Sequence, residues 1–424
     1  MIMSNEYLER LFDKELDFEL QVMGGVLIVG PKWCGKTSTA KRHAGSVIDM
    51  LDPEEGPQNL AFAKAALHQF LTSGKAPMLI DEWQAAPFIW NGLKGEIDRQ
   101  GEAGLYILTG SVSDATAYNE GTNERHTGNG RIVTKMMRTM SLFESKESNG
   151  LVSIADLKDG KFTPCTSNKT IDDYGFYICR GGWPGSIGKE PSIALKMAEN
   201  YVNVLAHEDI FSLNDIRIRK DYETANRFLR SYARNIGTQI SNQTIISDMG
   251  EGFGDETFAR YLAALQRLYV IDEVRAWNPN LRSKTAIRTK NTRYFVDPSI
   301  PASLMGLSPK ALYKDMKYFG FLFESLAIRD LKVYAEANDA SVYHYRDNRN
   351  REVDVVMVFK DGSYGLFEVK LGDESDIEEA AAHMTSLSKD FSVQPLFKSV
   401  ITKGRFAYQR DDGVYVLPLA CVRN

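Results

Sequence analysis

The stretch Gly30-Pro31-Lys32-Trp33-Cys34-Gly35-Lys36-Thr37 decides how the first part of this 424-residue chain folds. An apolar run precedes it at 26–29 and an Ala- and Lys-containing segment follows, which predicts strand, glycine-rich loop and helix in that order. In such a loop the two glycines turn backbone N–H groups inward around a phosphate, and Lys36 adds a cation beside the β- and γ-oxygens. Thr37 can place a hydroxyl on Mg²⁺. The stretch therefore predicts a site for ATP and Mg²⁺; a glycine turn without a ligand is the alternative. The predicted ATP-binding residues are Gly30, Pro31, Lys32, Trp33, Cys34, Gly35, Lys36, Thr37 and Ser38.

The composition is that of an ordinary globular chain, with 43% hydrophobic and 25% charged residues. The length exceeds what one core usually holds, so two to four domains are expected. No apolar run approaches the roughly 18 residues that span a bilayer, and the first residues lack the pattern of a secretion signal. Four scattered cysteines fit reduced thiols. These features predict a cytoplasmic protein without a membrane partner, and the net charge of −5 leaves nucleic-acid binding to a local patch.

A second apolar stretch, at 78–80, runs directly into Asp81-Glu82. A buried strand that ends in Asp-Glu at this distance after Thr37 has the form of a Walker B motif. Asp81 would hold the Mg²⁺ shell together with Thr37, and Glu82 would orient or deprotonate the attacking water. A strand that ends in two solvated carboxylates is the alternative.

A third strand, predicted at 105–108, ends in Thr109-Gly110-Ser111. In P-loop ATPases of the additional-strand class, the strand beside Walker B carries a polar residue at its tip that senses the γ-phosphate. Ser111 is predicted to take that role, although a cap on the following helix explains it equally well.

Five segments carry a resemblance to a known family: GPKWCGKT at 30–37, LIDEWQ at 79–84, LTGS at 108–111, Gly130-Arg131 and MSLFE at 140–144. In this order they resemble the AAA+-type ATPases of bacteria and archaea that carry a C-terminal domain of uncharacterised function, over nearly the whole chain. The resemblance implies that Arg131 reaches the phosphates as an arginine finger or sensor, in its own subunit or in a neighbouring one. A surface arginine after a polar loop is the alternative.

The segment Cys179-Arg180-Gly181-Gly182-Trp183-Pro184 is similar to the G-x-P signature of signal-transducing P-loop ATPases. The proline of that signature lies against the adenine, so the resemblance implies nucleotide contact for Pro184. A tight turn between two helices is the alternative.

The middle of the chain has the outline of a winged helix-turn-helix. Helices are predicted at 224–235 and 244–249 and from Asp255 onward, and strand-like segments follow at 269–271 and 293–296. The connecting segment is rich in cations, which could match a DNA phosphate backbone. A mechanical or lid role with a solvated hairpin is the alternative. The predicted DNA-binding residues are Arg282, Lys284, Arg288, Lys290 and Arg293.

The last 120 residues predict a different order of helices and strands from the rest of the chain. The predicted elements are a helix at 319–334, strands at 341–346, 352–359 and 364–371, a helix at 376–388, and strands at 397–402 and 414–419. Within this frame stand Glu324, Asp354, Glu368 and Lys370. The arrangement resembles the PD-(D/E)xK nuclease fold, in which such residues surround one metal site. The resemblance implies that Asp354 and Glu368 bind Mg²⁺ or Mn²⁺ while Lys370 positions the attacking water. Val353 stands where the nucleases usually have Pro, so a scaffold that only binds DNA or protein is the alternative.

The hairpin register decides whether Asp354 joins that group. The period of two puts Glu368 and Lys370 on one face of their strand. A two-residue loop at Asp361-Gly362 would pair Asp354 with Val369 and turn it away. We predict a three-residue loop, with a bulge that Gly362 allows, that pairs Asp354 with Lys370.

The predicted fold is a multidomain α/β protein. A P-loop NTPase parallel sheet flanked by helices (1–165) is followed by a helical lid or linker (166–223), a winged helix-turn-helix (224–305) and a small α/β PD-(D/E)xK-like domain (306–424). Its first predicted function is an ATP-driven, DNA-directed machine with a nuclease-like end. The alternative is a signalling ATPase switch that binds protein partners and cuts nothing. A second copy of the chain is a further predicted partner, because an arginine finger would act on a neighbouring subunit. A small-substrate kinase is disfavoured by the Asp-Glu motif and the long remainder.

Overall fold

The computed structural model describes residues 7–110, 130–213, 218, 221–279 and 289–424. They form two compact units, Met1–Arg138 with Arg267–Tyr269, and Thr139–Gln266 with Val270–Asn424. None of the helices in the described ranges has the length and apolar character needed to cross a bilayer. The finer division into four domains stays a prediction.

The first unit is built on five parallel strands that alternate with helices. The strand order is β2-β3-β4-β1-β5, so β4 is inserted between the strand before the glycine-rich loop and the strand that ends in Asp81. All five run in the same direction, so their carboxyl ends meet at one edge. The elements are α1 (Leu11–Val22), β1 (Gly25–Val29), α2 (Lys36–His43), β2 (Ser46–Asp49), α3 (Gly56–Ala65), α4 (Leu67–Leu71), β3 (Met78–Asp81), α5 (Ile89–Gln100), β4 (Tyr106–Thr109) and β5 (Ile132–Met136).

Successive apolar side chains of the central strands point to opposite faces, so the sheet has an apolar surface on each side. Val26 and Ile28 of β1 pack with Phe12 and Leu16 of α1 in one core cluster. Leu27 and Val29 belong to a second cluster, which includes Trp90, Leu93 and Ile97 of α5. Helices therefore cover both faces, as a buried parallel sheet requires. The predicted parallel sheet flanked by helices is confirmed.

The second unit opens with short elements and a series of helices. Three of the helices were expected at 224–235, at 244–249 and from Asp255, and they are present with bounds shifted by at most two residues. Two antiparallel bridges follow, Ile271 to Phe295 and Val274 to Thr292. The elements are β6 (Val152–Ser153), α6 (Ile154–Lys158), β7 (Cys165–Thr166), α7 (Ile171–Arg180), α8 (Pro191–His207), α9 (Tyr222–Arg234), α10 (Asn242–Met249), α11 (Asp255–Arg267), β8 (Arg275–Trp277) and α12 (Ser299–Leu304).

The C-terminal part of this unit forms a mixed sheet with two long helices. The strand order is β7-β13-β14-β12-β11-β10-β9-β8; β9, β10 and β11 are antiparallel neighbours, while β11, β12 and β14 run parallel. Two short pieces from earlier in the chain, β7 and β8, extend the sheet at its two ends. The elements are α13 (Met316–Glu336), β9 (Ala340–Arg346), β10 (Glu352–Phe359), β11 (Tyr364–Lys370), α14 (Glu374–Ser388), β12 (Phe397–Thr402), β13 (Phe406–Gln409), β14 (Tyr415–Pro418) and β15 (Val422–Arg423).

A buried polar cluster joins distant segments of the second unit. Asp297 Oδ2 accepts hydrogen bonds from Thr139 Oγ1 at 2.8 Å, Gly182 N at 2.9 Å and Arg329 Nη1 at 3.2 Å. The guanidinium also donates to Asp330 Oδ1 at 2.9 and 2.7 Å. The side chains of Arg329, Asp297 and Asp330 are at most 2% exposed. One arginine therefore pairs with two carboxylates inside the unit, which is tolerable only because the hydrogen bonds are extensive.

Candidate functional site

The glycine-rich loop lies between the carboxyl end of β1 and the first residue of α2. Gly30 has φ +148°, and a Cβ there would lie 2.1 Å from the Met137 carbonyl oxygen. Gly35 has φ +103° at the amino end of α2. Both positions need glycine, the first for space and conformation and the second for conformation. The loop thus presents backbone N–H groups at a helix start, where the helix dipole also favours an anion.

Lys36 is buried and folds back over this loop. Its ammonium donates to the carbonyl oxygens of Gly30 at 3.0 Å and Pro31 at 2.9 Å. These neutral acceptors are weaker partners for a cation than a phosphate oxygen is. The side chain is therefore placed where an incoming polyphosphate would replace the carbonyls.

Three side chains meet at the carboxyl edge of the sheet beside the loop. Asp81, 3% exposed, ends β3, and its Oδ1 accepts a hydrogen bond from Thr37 Oγ1 at 3.1 Å. Thr109 Oγ1, at the end of β4, donates to the same carboxylate oxygen. Hydroxyl and carboxylate oxygens are the donors that Mg²⁺ prefers, so Thr37 and Asp81 fit a magnesium ion. The polar tip of this strand was predicted at Ser111, which lies outside the described residues, and the contact of Thr109 was not predicted.

Glu82 follows directly after β3 and has a left-handed backbone, φ 51° and ψ 44°. A non-glycine residue in this region costs of order 1–3 kcal/mol, and such residues cluster at functional sites. Its carboxylate accepts a hydrogen bond from Gln84 Nε2. The residue expected to activate water is thus held in a defined position.

Arg131 lies at the other end of the sheet. It directly precedes β5, and the pairing of Gly25 with Ile132 puts it at the amino edge, away from the phosphate loop. Its Nε donates to Asp98 Oδ1 at 2.8 Å, which raises the pKa of the guanidinium. The implied reach to the phosphates of its own chain is therefore wrong. Action on a neighbouring subunit stays a prediction.

Arg10 supports the loop in a way that the sequence did not reveal. Its guanidinium, in a side chain that is 6% exposed, donates to the Cys34 carbonyl at 2.9 Å and to the Arg138 carbonyl at 2.8 Å. The first bond fixes one peptide of the phosphate loop. No local motif marks this residue, because the partner lies 24 positions along the chain.

Pro184 begins a short 3₁₀ turn, and its neighbours make contacts within the second unit. The Trp183 ring stacks on Tyr201 with centroids 4.1 Å apart, and its Nε1 donates to Ser299 Oγ at 2.9 Å. These contacts explain the motif as a packed turn, and the nucleotide role of Pro184 stays a prediction.

The four predicted residues of the C-terminal group come together. Lys370 Nζ lies 2.8 Å from Glu368 Oε2 and 3.8 Å from Asp354 Oδ2. Asp354 Oδ2 also accepts the Val369 N–H at 2.8 Å. Glu324 lies close enough for its charge to act on Lys370 and Asp354. The arrangement is one ammonium among three carboxyl groups.

The predicted register of the hairpin was wrong by two residues. The loop does contain three residues, and Gly362 has φ +83°, but the loop is 360–362 because Phe359 N donates to the Ser363 carbonyl. The observed ladder, with Val355 opposite Phe367, aligns Asp354 with Glu368 and not with Lys370. A shift of two residues keeps every side chain on its face, so Asp354 still joins the group. The pairing of β10 with β9 is irregular between Val353 and Val356, the segment that contains Asp354.

Burial and mutual charge set the pKa values of this group. Burial raises the pKa of Glu324 to about 7, although the Tyr294 hydroxyl donates to it and Lys370 is near. Burial and the charges of Glu368 and Glu324 raise the pKa of Asp354 well above its usual value. For Glu368 burial acts upward, but His383 and Lys370 outweigh it and the pKa is lowered. The charges of Asp354 and Glu368 likewise outweigh burial and raise the pKa of Lys370.

Among the described residues, no set of three or more His, Cys, Asp or Glu side chains has the arrangement of a metal site. Lys370 lies between the two carboxylates that were expected to bind a second ion. One atom does lack a partner there, because Glu368 Oε1 is buried without a hydrogen bond, and His383 Nδ1 is 3.7 Å away. The second metal site stays a prediction.

The predicted DNA-binding cations are only partly within the described residues. Arg282, Lys284 and Arg288 lie outside them, and Lys290 is exposed. Arg293 is 6% exposed, donates to Asn242 Oδ1 at 2.6 Å, and lies over the Tyr232 ring at 5.4 Å. The prediction of DNA contact by Arg293 is therefore wrong, because its guanidinium is committed to internal partners.

Three family models match successive parts of the chain. Residues 24–145 match the model described as "AAA domain". Residues 171–311 and 319–422 match two models described as "Domain of unknown function", DUF8612 and DUF4143. No curated protein matches the chain.

Solved structures give distant likenesses. A Walker-type ATPase of Pyrococcus abyssi is 14% identical, with 71% of this chain and 96% of that chain covered and a TM-score of 0.42. Protein VC1899 from Vibrio cholerae is 9% identical, with 93% and 94% covered and a TM-score of 0.20. The Hef helicase domain of Pyrococcus furiosus is 12% identical, with 93% and 89% covered and a TM-score of 0.19. All three are too distant to support a conclusion. Residues 24–145 therefore match an AAA domain, and within that range Lys36 of the glycine-rich loop, Thr37 and Asp81 lie at one edge of the sheet.

Proposed function

We propose that the chain hydrolyses ATP with Mg²⁺ at the carboxyl edge of the first sheet. The observation that carries this proposal is the shared oxygen of Asp81, to which both Thr37 and Thr109 donate beside the phosphate loop. Lys36 and the loop N–H groups would bind the polyphosphate, and Thr37 and Asp81 would hold the ion. When bound, Mg²⁺ would neutralise charge on the β- and γ-phosphates. Glu82 would accept the proton of the attacking water.

Lys36→Ala and Glu82→Gln test this proposal from two sides. Lys36→Ala should abolish measurable ATP binding, because the variant lacks the buried ammonium. Glu82→Gln should bind ATP but lose turnover, since an amide is not a base. Lys41→Ala, at an exposed position of the same helix, is the matched control. Calorimetry with ATP and a phosphate-release assay give the two readings. Retained ATP binding by Lys36→Ala would refute the site assignment.

We further propose that the nucleotide state is coupled, through a winged helix in the middle of the chain, to a nuclease-like C-terminal domain directed to DNA. The helix-strand-strand-strand-helix-strand order of α13, β9 to β11, α14 and β12 supports the nuclease-like fold. The convergence of Asp354, Glu368 and Lys370 supports its site. Asp354 and Glu368, whose Oε1 has no hydrogen-bond partner, would hold a divalent ion, and Lys370 would position the attacking water. Lys290 is the exposed cation among the described residues of the predicted wing.

A signalling switch with a silent nuclease-like scaffold is the second candidate. The ammonium of Lys370, 2.8 Å from Glu368, already pairs with one of the carboxylates that a metal would use. In addition, α11 begins with exposed Asp255 and Glu256, and acidic residues at that position would repel a phosphate backbone. Under this proposal the second unit binds a protein partner or a second copy of the chain.

Nuclease assays with Mg²⁺ and with Mn²⁺ separate the two candidates. Cleavage of duplex or single-stranded DNA that is lost in Lys370→Ala supports the nuclease. Lys360→Ala, an exposed lysine at the tip of the same hairpin, is the control. If no DNA is cut, and a protein partner alters ATP turnover while DNA does not, the switch is correct.

A further inference from the structure

Gln84 lies beside the residue expected to activate water. It sits in the 3₁₀ turn Trp83–Ala85, directly after Glu82, and its Nε2 donates to Glu82 Oε2. The unusual backbone of Glu82 and this hydrogen bond together fix the direction of the carboxylate.

Chemistry determines which way the Gln84 amide faces. An ionised carboxylate only accepts hydrogen bonds, so the NH₂ group must be the end that points at Glu82. The amide oxygen, Oε1, then points the other way. It is buried, and within the described part of the chain no donor meets it. A buried acceptor without a donor costs free energy, which favours a ligand that donates to it.

The unpaired oxygen faces the end of β4. A Cβ added to Gly110, the residue after Thr109, would lie 2.6 Å from Gln84 Oε1. Thr109 in turn donates to Asp81. Gln84 thus connects the residue after β3 with the strand end beside the predicted metal ligand.

We propose that Gln84 Oε1 and the Glu82 carboxylate together hold the hydrolytic water, so that Gln84 is a further catalytic residue. The inference rests on the proposed ATP hydrolysis. The water would donate one hydrogen bond to Gln84 Oε1 and the other to Glu82. Its oxygen forms the bond to the γ-phosphorus while the bond from that phosphorus to the β,γ-bridging oxygen breaks. The products are ADP and inorganic phosphate, and Glu82 takes the proton released by the water and passes it to solvent.

Gln84→Met tests the role, because methionine nearly preserves the shape and removes both polar ends of the amide. We expect kcat to fall roughly 100-fold, the scale of losing one positioned polar group at the reacting centre. The ATP Kd should stay within about threefold, since the water is not part of ATP binding. Affinity for ADP with aluminium fluoride, which imitates the phosphoryl group under attack, should fall with kcat. Gln100→Met is the matched control, because Gln100 Nε2 donates to Glu96 Oε1 at 2.9 Å away from the phosphate loop.

The outcomes separate this inference from the proposed ATPase. If wild type turns over ATP, Glu82→Gln does not, and Gln84→Met retains kcat within about threefold, the role of Gln84 is refuted and the ATPase stands. Equal losses of affinity for ATP and for the aluminium fluoride complex would also refute it, because they indicate a structural role. If the wild-type protein binds ATP but shows no turnover under any condition tested, the proposed hydrolysis itself fails.

Discussion

Arg329→Ala should destabilise the second unit more than most other single changes. Arg329 is 2% exposed and donates to two carboxylates that are fully buried, Asp330 at 2.7 and 2.9 Å and Asp297 at 3.2 Å. The variant leaves both carboxylates inside the protein without their cation. The backbone N–H of Leu142 and that of Gly182 still donate to them, but a hydrogen bond does not neutralise a charge.

The size of the effect follows from this geometry. Removal of one partner of a buried ion pair lowers the free energy of unfolding by about 3–5 kcal/mol. Because Arg329→Ala leaves two buried carboxylates without a cation, we expect a loss at the upper end of that range. In a unit of this size each kcal/mol lowers Tm by roughly 2–4 °C, so a loss of about 5 kcal/mol should lower Tm by roughly 10–20 °C. Burial already raises the pKa of Asp330 against the charge of Arg329, and the variant should raise it further. A folded-state pKa above the unfolded value means that protonation favours the folded form, so the deficit should shrink as the pH is lowered from 7.

Urea unfolding followed by circular dichroism, at about pH 7 and about pH 5, measures both predictions. Arg260→Ala is the control, because its ion pair with Glu256 is exposed and should be worth at most ~1 kcal/mol. A loss below about 1 kcal/mol in Arg329→Ala would contradict the reasoning. A deficit that grows on acidification would contradict the assigned sign.

The other predictions concern the ATP site, the predicted wing and a buried histidine. Lys36→Ala should weaken ATP binding by at least about 100-fold with Tm nearly unchanged, as calorimetry and thermal unfolding would report. If DNA binds at the wing, Lys290→Ala should reduce the salt slope of DNA affinity by about one, whereas Arg293→Ala should lower Tm instead. Burial lowers the pKa of His344 to about 4, below the ordinary value near 6.5, so the folded form binds fewer protons and loses stability as pH falls through that interval. This histidine should lower the free energy of unfolding of the wild type by roughly 2 kcal/mol between about pH 7 and pH 5. His344→Gln should lack that part of the fall when urea unfolding is measured at the two pH values.

The phosphate loop and the strand that ends in Asp81 could be predicted because each is encoded locally. A glycine pair at fixed spacing allows one backbone path, and a continuous apolar run beside it indicates a buried strand. The sequence could not show that Thr109 meets Asp81, since that contact depends on how far β4 extends past its neighbour.

Arg131 was misplaced because β5 gives a weak signal. Its burial is mixed, as in an edge strand, so no apolar run marks where the strand begins or ends. Without that boundary the Gly-Arg pair fits equally well before or after a strand, and the two positions lie at opposite edges of the sheet. The distance between them is about 15 Å for a five-residue strand.

The C-terminal group shows which errors a periodic pattern tolerates. The hairpin loop was misplaced along the chain, but a two-residue shift preserves the face of each side chain, so the predicted cluster formed anyway. The prediction of DNA contact by Arg293 was wrong for the opposite reason. Five cations close together in sequence were assigned to one surface, whereas a residue in a paired segment points in or out according to its register.

The edge strand β8 affects how fragments of this protein should behave when they are expressed. It comes from the middle of the chain, yet it pairs with β9, and its Trp277 packs among Tyr345, Tyr364 and Phe391. A fragment that starts at residue 306 would keep β9 but lose its neighbour, which bares a row of backbone donors and acceptors beside an aromatic gap. Such a fragment should self-associate on expression, whereas one that begins ahead of α9 keeps the strand and its tryptophan. The boundary between the two matched families of unknown function is therefore a boundary in sequence only, because strand pairing and aromatic packing cross it.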